Sequence, residues 1–239
     1  MTENAFEAIA GDGPLLLLCD HASNRLPEGG LGLAPGLLAT HIAYDIGAAP
    51  VTRALAKSYG APAFLGGWSR LLIDLNRGAD DPTIVMKLSD GNIIPGNVLG
   101  AAEAQEVAQR IARYHAPYHA AIAAVLDRIG PGAVIVSLHS FTPAWKGRPR
   151  PWEVGVLYDR DTRLPVPLMA RLRHAGFTVG DNEPYSGALK GDTLYQHGTL
   201  RGLPHVLIEI RQDLIADEDA AQAFALRLKP VLDEALSDM

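Results

Sequence analysis

Residues 15–27, with the sequence LLLLCDHASNRLP, contain the pattern around which the chain is organised. Five apolar residues at 15–19 stop abruptly at Asp20 and His21. A short apolar run bounded by turn-forming residues is typical of a fully buried strand. The polar side chains that follow it would then lie at the carboxyl edge of a sheet, where open α/β proteins bind their ligands.

Three later stretches repeat this pattern, in which an apolar run carries reactive side chains at or near its end. They are LLIDLNR at 71–77, AVIVSLHSF at 133–141 and HVLIEIRQD at 205–213. If each run is a strand, polar groups from distant parts of the chain are brought to one edge of a sheet. We therefore expect the four ends to meet at a single site.

Helical periodicity alternates with these apolar runs, and no change in composition divides the chain. The predicted helices cover residues 37–59 in two pieces, 101–129 with a kink at Pro117, 168–175 and 217–236. Two polar, glycine-containing stretches, 78–100 and 181–201, are predicted loops, and long loops of this kind are often functional. The sequence predicts one α/β domain over residues 1–239, with a largely parallel sheet and helices on both faces.

Composition and charge argue against several classes of protein. Hydrophobic residues make up 48% of the 239 residues, so a large core can form. The net charge of −6 argues against general nucleic-acid binding and gives no reason to expect a membrane partner. The single cysteine, Cys19, rules out an intrachain disulfide, and no apolar run has the length of a membrane helix. We expect a cytoplasmic protein.

Two histidines follow buried runs and could share a metal ion. His21 lies in DHASN and His139 lies in SLHSF, each near the carboxyl end of a predicted strand. Neutral imidazole is the commonest protein metal ligand, and a catalytic zinc needs three protein ligands and one open position. From spacing alone, the alternative is a pair of histidines that are hydrogen-bonded at the sheet edge without a metal.

A carboxylate inside the last apolar run is a further candidate. Glu209 lies within VLIEIRQD, and a carboxylate in an apolar strand is costly unless it is paired or functional. Arg211 would point to the same face of the strand, because side chains alternate along it. A buried ion pair between these two residues and a catalytic role for Glu209 are therefore both open.

The predicted strand at 71–75 is accompanied by a similar polar group. Its members are Arg70, Asp74, Asn76 and Arg77. Asp74 and Asn76 would share one face of the strand, and Arg77 would lie just beyond its end. Because the guanidinium is a planar fork that binds carboxylates bidentately, the group could hold an anionic substrate or form internal ion pairs.

The motifs DHASN, HIAYDIGA, SRLLIDLNR, SLHSF and IEIRQDLI, in this order over residues 19–215, resemble the N-formylglutamate amidohydrolase family. The order of His21, Asn76 with Arg77, His139 and Glu209 is also distantly similar to zinc carboxypeptidases and aspartoacylases. The resemblance implies a metal-dependent amide hydrolase with an α/β/α sandwich around a mixed, largely parallel sheet.

The resemblance also implies roles for individual residues. His21 and His139 would bind one divalent ion, which we expect to be zinc. Glu209 would activate a water molecule and carry its proton. Asn76 and Arg77 would bind a carboxylate of a small acidic substrate.

The chain departs from the carboxypeptidase pattern at the third metal ligand. Carboxypeptidases have a ligating glutamate three residues after the first histidine, where this chain has Asn24, and an amide is a weak zinc ligand. Asp45 in YDIGA is our candidate in its place, and Asn24 is kept as a candidate for substrate contact. Arg70 and Arg211 are candidates for a second substrate carboxylate, and Asp74 would orient a ligating histidine.

The predicted reaction is hydrolysis of N-formyl-L-glutamate to formate and L-glutamate. The family often has His-Ser-Gly where this chain has His21, Ala22 and Ser23, a difference that bears on the substrate more than on the chemistry. A related hydrolase of another N-acyl amino acid or peptide stays open, as does a carboxylate-binding protein without a metal. His115 and His119, four residues apart with no neighbouring glutamate, are predicted to be structural.

Overall fold

The computed structural model describes residues 4–239, and within this range a seven-stranded mixed sheet forms the centre of the chain. Its strands lie side by side in the order β1 (Phe6–Ile9), β3 (Ala63–Gly66), β2 (Leu15–Cys19), β6 (Val134–Phe141), β11 (His205–Arg211), β9 (Val154–Leu157) and β10 (Val179–Asp181). The intervening numbers belong to two short hairpins, β4 (Leu88–Ser89) with β5 (Asn92–Ile93) and β7 (Ala144–Trp145) with β8 (Arg148–Pro149). Strands β3, β2, β6 and β11 run parallel to one another, whereas β1, β9 and β10 run the other way.

Helices cover both faces of this sheet, which gives the predicted three layers. On one face lie α1 (Ala48–Tyr59), α4 (Pro165–His174) and α6 (Glu218–Ser237). On the other lie α2 (Glu103–Arg110), α3 (Ala116–Ile129) and α5 (Thr193–His197). No helix between residues 4 and 239 is long and apolar enough to span a membrane.

The central strand β2 shows why its sequence is apolar throughout. Leu15, Leu17 and Cys19 belong to the core on one face, whereas Leu16 and Leu18 belong to the core on the other. Side chains alternate along a strand, so a strand buried on both faces has no polar position. Each buried leucine contributes roughly 1.5–3 kcal/mol of transfer free energy, which makes β2 a strong determinant of the fold.

Helix boundaries follow recognisable local chemistry. The Asp217 carboxylate accepts a hydrogen bond from Ala220 N at 2.8 Å, so it caps the first turn of α6 as its sequence predicts. The single helix predicted over 101–129 is instead divided, because the wider π-helical turn Ile111–His115 separates α2 from α3. Pro117 lies in the first turn of α3, directly after the π-helical turn, in which Ala116 N donates to Ile111 O.

The prediction of a strand at 71–75 is wrong. Residues 69–75 consist of turns and irregular backbone, with Leu72 N donating to Ser69 O at 2.9 Å and Asp74 N to Ile84 O at 2.8 Å. The apolar side chains in this segment are nevertheless buried in the same core as α3. An apolar run indicates that a segment is buried, but it does not indicate that the segment pairs in a sheet. Here the segment is a loop buried beneath α2 and α3.

Candidate active site

Three side chains from separate elements converge at the carboxyl ends of β2 and β6. His21 follows β2, His139 lies on β6, and Asp45 lies in the turn before α1. Asp45 Oδ2 is 3.4 Å from His21 Nδ1 and 2.8 Å from His139 Nδ1. All three residues are buried, and one donor atom from each lies within 4.8 Å of the others. The group is therefore a possible metal site.

The turn that presents Asp45 depends on a glycine. Asp45 N donates to His21 O at 2.9 Å, which ties the turn to the residue after β2. Gly47 has a φ of +79°, and a Cβ at this position would lie 2.0 Å from Ile215 O. Only glycine fits both this conformation and this close approach, so the Asp-Ile-Gly sequence fixes where Asp45 lies.

Each histidine directs its second ring nitrogen at another buried carboxylate. His21 Nε2 is 2.6 Å from Asp74 Oδ1, and His139 Nε2 is 3.1 Å from Asp20 Oδ2. Carboxylates in this position commonly fix the ring orientation of metal-binding histidines. Both Nδ1 atoms consequently face Asp45. Asp74 therefore contacts the ring nitrogen of His21 that points away from Asp45, which is the orienting contact predicted for it from the sequence.

Asp20 is a functional candidate that our sequence interpretation missed. Its carboxylate accepts hydrogen bonds from Tyr118 Oη at 3.0 Å, Thr193 Oγ1 at 2.8 Å and Ser137 Oγ at 3.3 Å. Burial alone would raise the pKa of Asp20, but its hydrogen bond with His139 and the nearby histidine charges lower that pKa to about 2. The available signal was its position directly before His21, at the end of a buried strand.

The site is held together by balanced charges. Burial alone would lower the pKa of His139, but the hydrogen bonds with Asp20 and Asp45 raise it well above its usual value. Arg70 Nη2 lies 2.9 Å from Asp74 Oδ2, and Arg70 Nη1 lies 3.5 Å from Asp45 Oδ1. A metal ion at the two Nδ1 atoms would have to replace a proton, so metal binding here is coupled to proton release.

Glu209 lies on β11 directly beside His139 on β6. Its side chain is 7% exposed, and Oε2 has no hydrogen-bond partner among residues 4–239. Burial, and to a lesser extent the Asp45 charge, raises the pKa of Glu209 to about 7 against the opposing effect of His139. A buried carboxyl group that lies in a cleft and has no hydrogen-bond partner is a candidate general acid or general base.

The alternative of a buried Glu209–Arg211 ion pair is wrong. Arg211 Nε donates to Asp213 Oδ1 at 2.8 Å, and the Arg211 guanidinium does not line the cavity beside Glu209. Because β11 ends at Arg211, the alternation along the strand no longer determines where this long side chain goes. The same reason removes Arg211 as a candidate for the second substrate carboxylate.

Asn24 is also displaced from its predicted role in substrate contact. Its Nδ2 donates to Leu38 O at 2.8 Å, and the residue does not line the cavity. Asn24 therefore ties together two parts of the loop that follows β2. The chain turns away from the sheet edge after His21, so position 24 is not carried into the site.

The metal-site candidates open into a cavity of about 490 Å³. Polar groups on its wall include Arg70, Asn76, Arg77, Asp192 and Glu209. Its apolar wall includes Phe141, Trp145, Leu157, Tyr185, Leu189 and Leu207. The loop predicted at 181–201 supplies several of these residues, among them Asp192, whose pKa is raised to about 7 by burial.

Asn76 and Arg77 both line the cavity, but they differ in their hydrogen bonds to the rest of the protein. Asn76 Oδ1 accepts a hydrogen bond from Thr193 N at 3.0 Å. The Arg77 guanidinium has no hydrogen bond or ion pair with any residue in the described range. A charged fork without an internal partner on a cavity wall is suited to binding an anionic group.

The donor set fits a divalent ion such as zinc. Four ligands at ~2.0–2.2 Å around a tetrahedral ion lie roughly 3.3 Å apart. The separations of Asp45 Oδ2 from the two histidine Nδ1 atoms, 3.4 and 2.8 Å, need only a small adjustment to reach that value. Two imidazoles and one carboxylate, all buried and open on one side to a cavity, match the ligand types of catalytic zinc sites.

Comparisons with known proteins point to one family. The family model described as N-formylglutamate amidohydrolase matches residues 13–216. The structure of gene product Atu2144 from Agrobacterium tumefaciens is 36% identical, with a TM-score of 0.90, over 97% of this chain and 94% of that one. No curated protein sequence gives a significant match.

Two more distant structures share the fold. N-formylglutamate amidohydrolase from Ralstonia eutropha JMP134 is 23% identical, with a TM-score of 0.64, over 97% of this chain and 96% of that one. A bacteriophage poly-gamma-glutamate hydrolase is 13% identical, with a TM-score of 0.50, over 97% and 87% of the two chains. At these identities the similarity concerns the architecture alone. From the family match and the more similar structure, we conclude that this chain belongs to the N-formylglutamate amidohydrolase family.

Proposed function

We propose that the protein is a metal-dependent hydrolase that cleaves N-formyl-L-glutamate to formate and L-glutamate. The observation that carries this proposal is Glu209, whose Oε2 is buried without a partner beside the His21, Asp45 and His139 group. A non-catalytic carboxylate-binding protein would gain nothing from such a group, since an unpaired buried carboxyl destabilises the fold. The family supplies the reaction class, hydrolysis of an amide.

His21, Asp45 and His139 would hold one divalent ion, which we propose to be zinc, because imidazole ligands disfavour magnesium and calcium. When bound, the ion would polarise a water molecule and the carbonyl of the substrate amide. Asp74 and Asp20 keep the two imidazole rings oriented with Nδ1 towards this position.

Glu209 would accept the proton of the attacking water and return it to the leaving amine nitrogen. A group with a pKa of about 7 is well suited to both tasks at neutral pH, because it neither holds nor releases its proton too strongly. No residue in the described range competes for Oε2. The cavity wall also includes apolar side chains, among them Phe141, Leu157 and Leu207.

Substrate selection would depend on the amino-acid half, because a formyl group offers little surface to bind. The free fork of Arg77, with Asn76, would bind the α-carboxylate. Arg70 uses two of its donors on Asp45 and Asp74 but retains others, so it is the remaining candidate for the side-chain carboxylate.

The cavity supports a second candidate, a hydrolase of a larger N-acyl amino acid or a peptide. A volume of about 490 Å³ falls in the range of ~300–1,000 Å³ that is typical for drug-sized ligands. Trp145, Tyr185 and Leu189 are large apolar residues that are partly exposed on its wall. They would suit a larger acyl group than formyl.

The deciding experiment combines metal analysis with an acyl-group panel. Protein purified without added metal is analysed for bound ions and assayed for release of L-glutamate from its N-formyl, N-acetyl and N-benzoyl derivatives. We expect about one zinc per chain and the fastest release from the formyl compound. Faster release from N-benzoyl-L-glutamate would favour the second candidate. A zinc-loaded protein that hydrolyses none of the three would contradict the proposed function, and it would exclude the second candidate for these acyl groups on L-glutamate.

A further inference from the structure

The backbone that carries Asn76 is held by buried imidazoles instead of strand pairing. His119 Nε2 donates to Leu75 O at 3.0 Å, and His115 Nε2 donates to Arg77 O at 2.8 Å. These two carbonyls flank Asn76 on either side. Because the segment forms no strand, its carbonyls need side-chain donors, and the two histidines are matched to them in position.

His119 is fixed in one tautomer by its own hydrogen bonds. A carbonyl oxygen only accepts, so Nε2 of His119 carries the hydrogen that binds Leu75 O. The other nitrogen, His119 Nδ1, lies 2.9 Å from His197 Nε2. In neutral His119 this nitrogen is an acceptor, so His197 donates to it. Both ring nitrogens of His119 are thereby hydrogen-bonded, Nε2 to the segment of residues 75–77 and Nδ1 to His197 on α5.

The surroundings favour the neutral form of these imidazoles. Burial lowers the pKa of His119 to about 3 and that of His197 to about 4, and it also lowers the pKa of His115. The charged groups that act on them are Asp20 on all three, Asp74 on His115 and Arg201 on His197. A neutral cluster whose hydrogen bonds run to backbone carbonyls and between its own rings is suited to positioning and not to proton transfer.

Helix α5 contacts the segment twice more. Thr193 N donates to Asn76 Oδ1 at 3.0 Å, and Thr193 Oγ1 lies 3.2 Å from Leu75 O. The same helix carries His197, the partner of His119. The amide of Asn76 and the carbonyl before it are thus both fixed relative to α5, whereas the Arg77 guanidinium forms no hydrogen bond or ion pair within the described range.

We propose that His119, oriented by His197 and supported by His115, is a positioning residue for the carboxylate-binding pair Asn76 and Arg77. The inference rests on the function proposed above, because it requires Arg77 to bind a substrate carboxylate. Bidentate recognition of a carboxylate requires a correctly placed guanidinium, and a displacement of a binding group by about 1 Å can lower the rate on the order of 10²-fold.

The test compares His119→Leu, which removes both hydrogen bonds, with His119→Gln, whose side-chain amide can still donate to Leu75 O. For N-formyl-L-glutamate we expect His119→Leu to raise KM by roughly 10-fold or more, with kcat within about 3-fold, in line with a placement error that affects binding. His119→Gln should recover a large part of this loss. Zinc content should not change in either variant.

His205 provides a matched control. It is also a buried histidine that donates to a backbone carbonyl, Leu203 O at 2.7 Å, but it lies at the start of β11, away from the carboxyl edge. His205→Leu should lower thermal stability without the selective rise in KM. An equal rise in KM in His205→Leu, or a parallel loss of kcat and zinc in His119→Leu, would show that His119 has only a general structural role and would overturn the proposal.

Calorimetric titration with L-glutamate separates this inference from the proposed function. Arg77→Ala should abolish binding, and His119→Leu should weaken it by a similar factor to the rise in KM. If Arg77→Ala binds normally, the role of Arg77 in the proposed function fails. If Arg77→Ala loses binding while both His119 variants keep it, only the positioning role fails. Should His119→Leu not fold, His197→Leu, which cannot donate to His119 Nδ1, replaces it, and unchanged binding in that variant overturns the proposal.

Discussion

The two halves of the candidate site are held in place by different kinds of structure. His139 lies on β6 and His21 lies two residues beyond the end of the neighbouring parallel strand β2, and their ring centroids lie 5.0 Å apart. Asn76 and Arg77 belong to a segment without strand pairing, whose carbonyls receive donors from helices. The positions of the histidines therefore depend mainly on paired strands, whereas the position of the proposed substrate-binding pair depends on a few individual side chains.

This difference predicts how each half fails. Substitutions in the strand-held half should remove the chemistry and leave the neighbouring backbone in place, because the ladder of backbone hydrogen bonds does not involve the substituted side chains. Substitutions in the loop-held half should change affinity gradually, because each donor supports only part of the segment. Four experiments test this comparison.

The largest expected effect is on His139→Ala and His21→Ala. Each removes one imidazole from the ligand group, so bound zinc and hydrolysis should fall to background, as measured by elemental analysis and formate release. Circular dichroism should show a retained fold, although the carboxylate behind each histidine loses a partner, which costs about 1–3 kcal/mol. His174→Ala, on the exposed side of α4, is the control. Full zinc content in both variants would exclude these residues as ligands.

Glu209→Gln should have the next largest effect. It removes the proton acceptor at nearly constant shape, so kcat should fall by roughly 10²-fold or more, the usual contribution of a general base. KM and zinc content should change much less, which steady-state kinetics and metal analysis can measure. Asp213→Asn, which alters a carboxylate outside the cavity, is the control. Activity of Glu209→Gln within a few-fold of the original would remove its assigned role.

Arg77→Lys should have a moderate effect that is confined to binding. Lysine keeps the charge but loses the bidentate fork, so KM should rise by the equivalent of about 1.5–3 kcal/mol, the range for a hydrogen bond to a charged group. The rise should be much smaller for a substrate in which the α-carboxylate is amidated. Equal losses on both substrates would indicate that Arg77 supports the loop and does not contact the carboxylate.

The smallest expected effect is on pH-dependent stability. His119 and His197 have folded-state pKa values of about 3 and 4, below the ~6.5 of an unfolded histidine, so the unfolded chain binds more protons in this window. Their contribution is complete above pH ~6.5 and is lost as the pH falls towards ~3.

The variant carrying both His119→Gln and His197→Gln removes these two titrations. Its Tm should therefore fall less than that of the original protein between about pH 7.5 and about pH 5, when thermal scans are run at equal zinc content and ionic strength. A parallel fall in the two proteins would mean that this cluster does not link protonation to folding.

The same contrast explains which parts could be predicted from the sequence. His21 and His139 could be found because the end of a buried apolar run marks a sheet edge. The prediction of a strand at 71–75 was wrong because burial does not specify a hydrogen-bonding pattern. These residues are buried as a loop. Arg211 was misplaced because alternation stops determining direction where a strand ends.

Other contacts had no local signal at all. Asp20 meets His139 across 119 positions of sequence, and its three hydroxyl donors come from β6, α3 and α5. Asp45 could be proposed only through a resemblance in which the expected ligand position held Asn24. Such residues can be identified only from the packing of the layers, because the periodicity of the sequence carries no information about contacts between distant elements.

Thr193 joins the two halves of the site. Its hydroxyl binds Asp20, the partner of His139, and its backbone N–H binds Asn76. Any free energy that passes between the metal position and the carboxylate position through this residue must be reciprocal, so that each ligand changes the affinity of the other by the same factor. If a bound metal ion raises the affinity for L-glutamate through this contact, L-glutamate raises the affinity for the metal ion by the same factor, and release of the proposed product is coupled to the state of the metal centre.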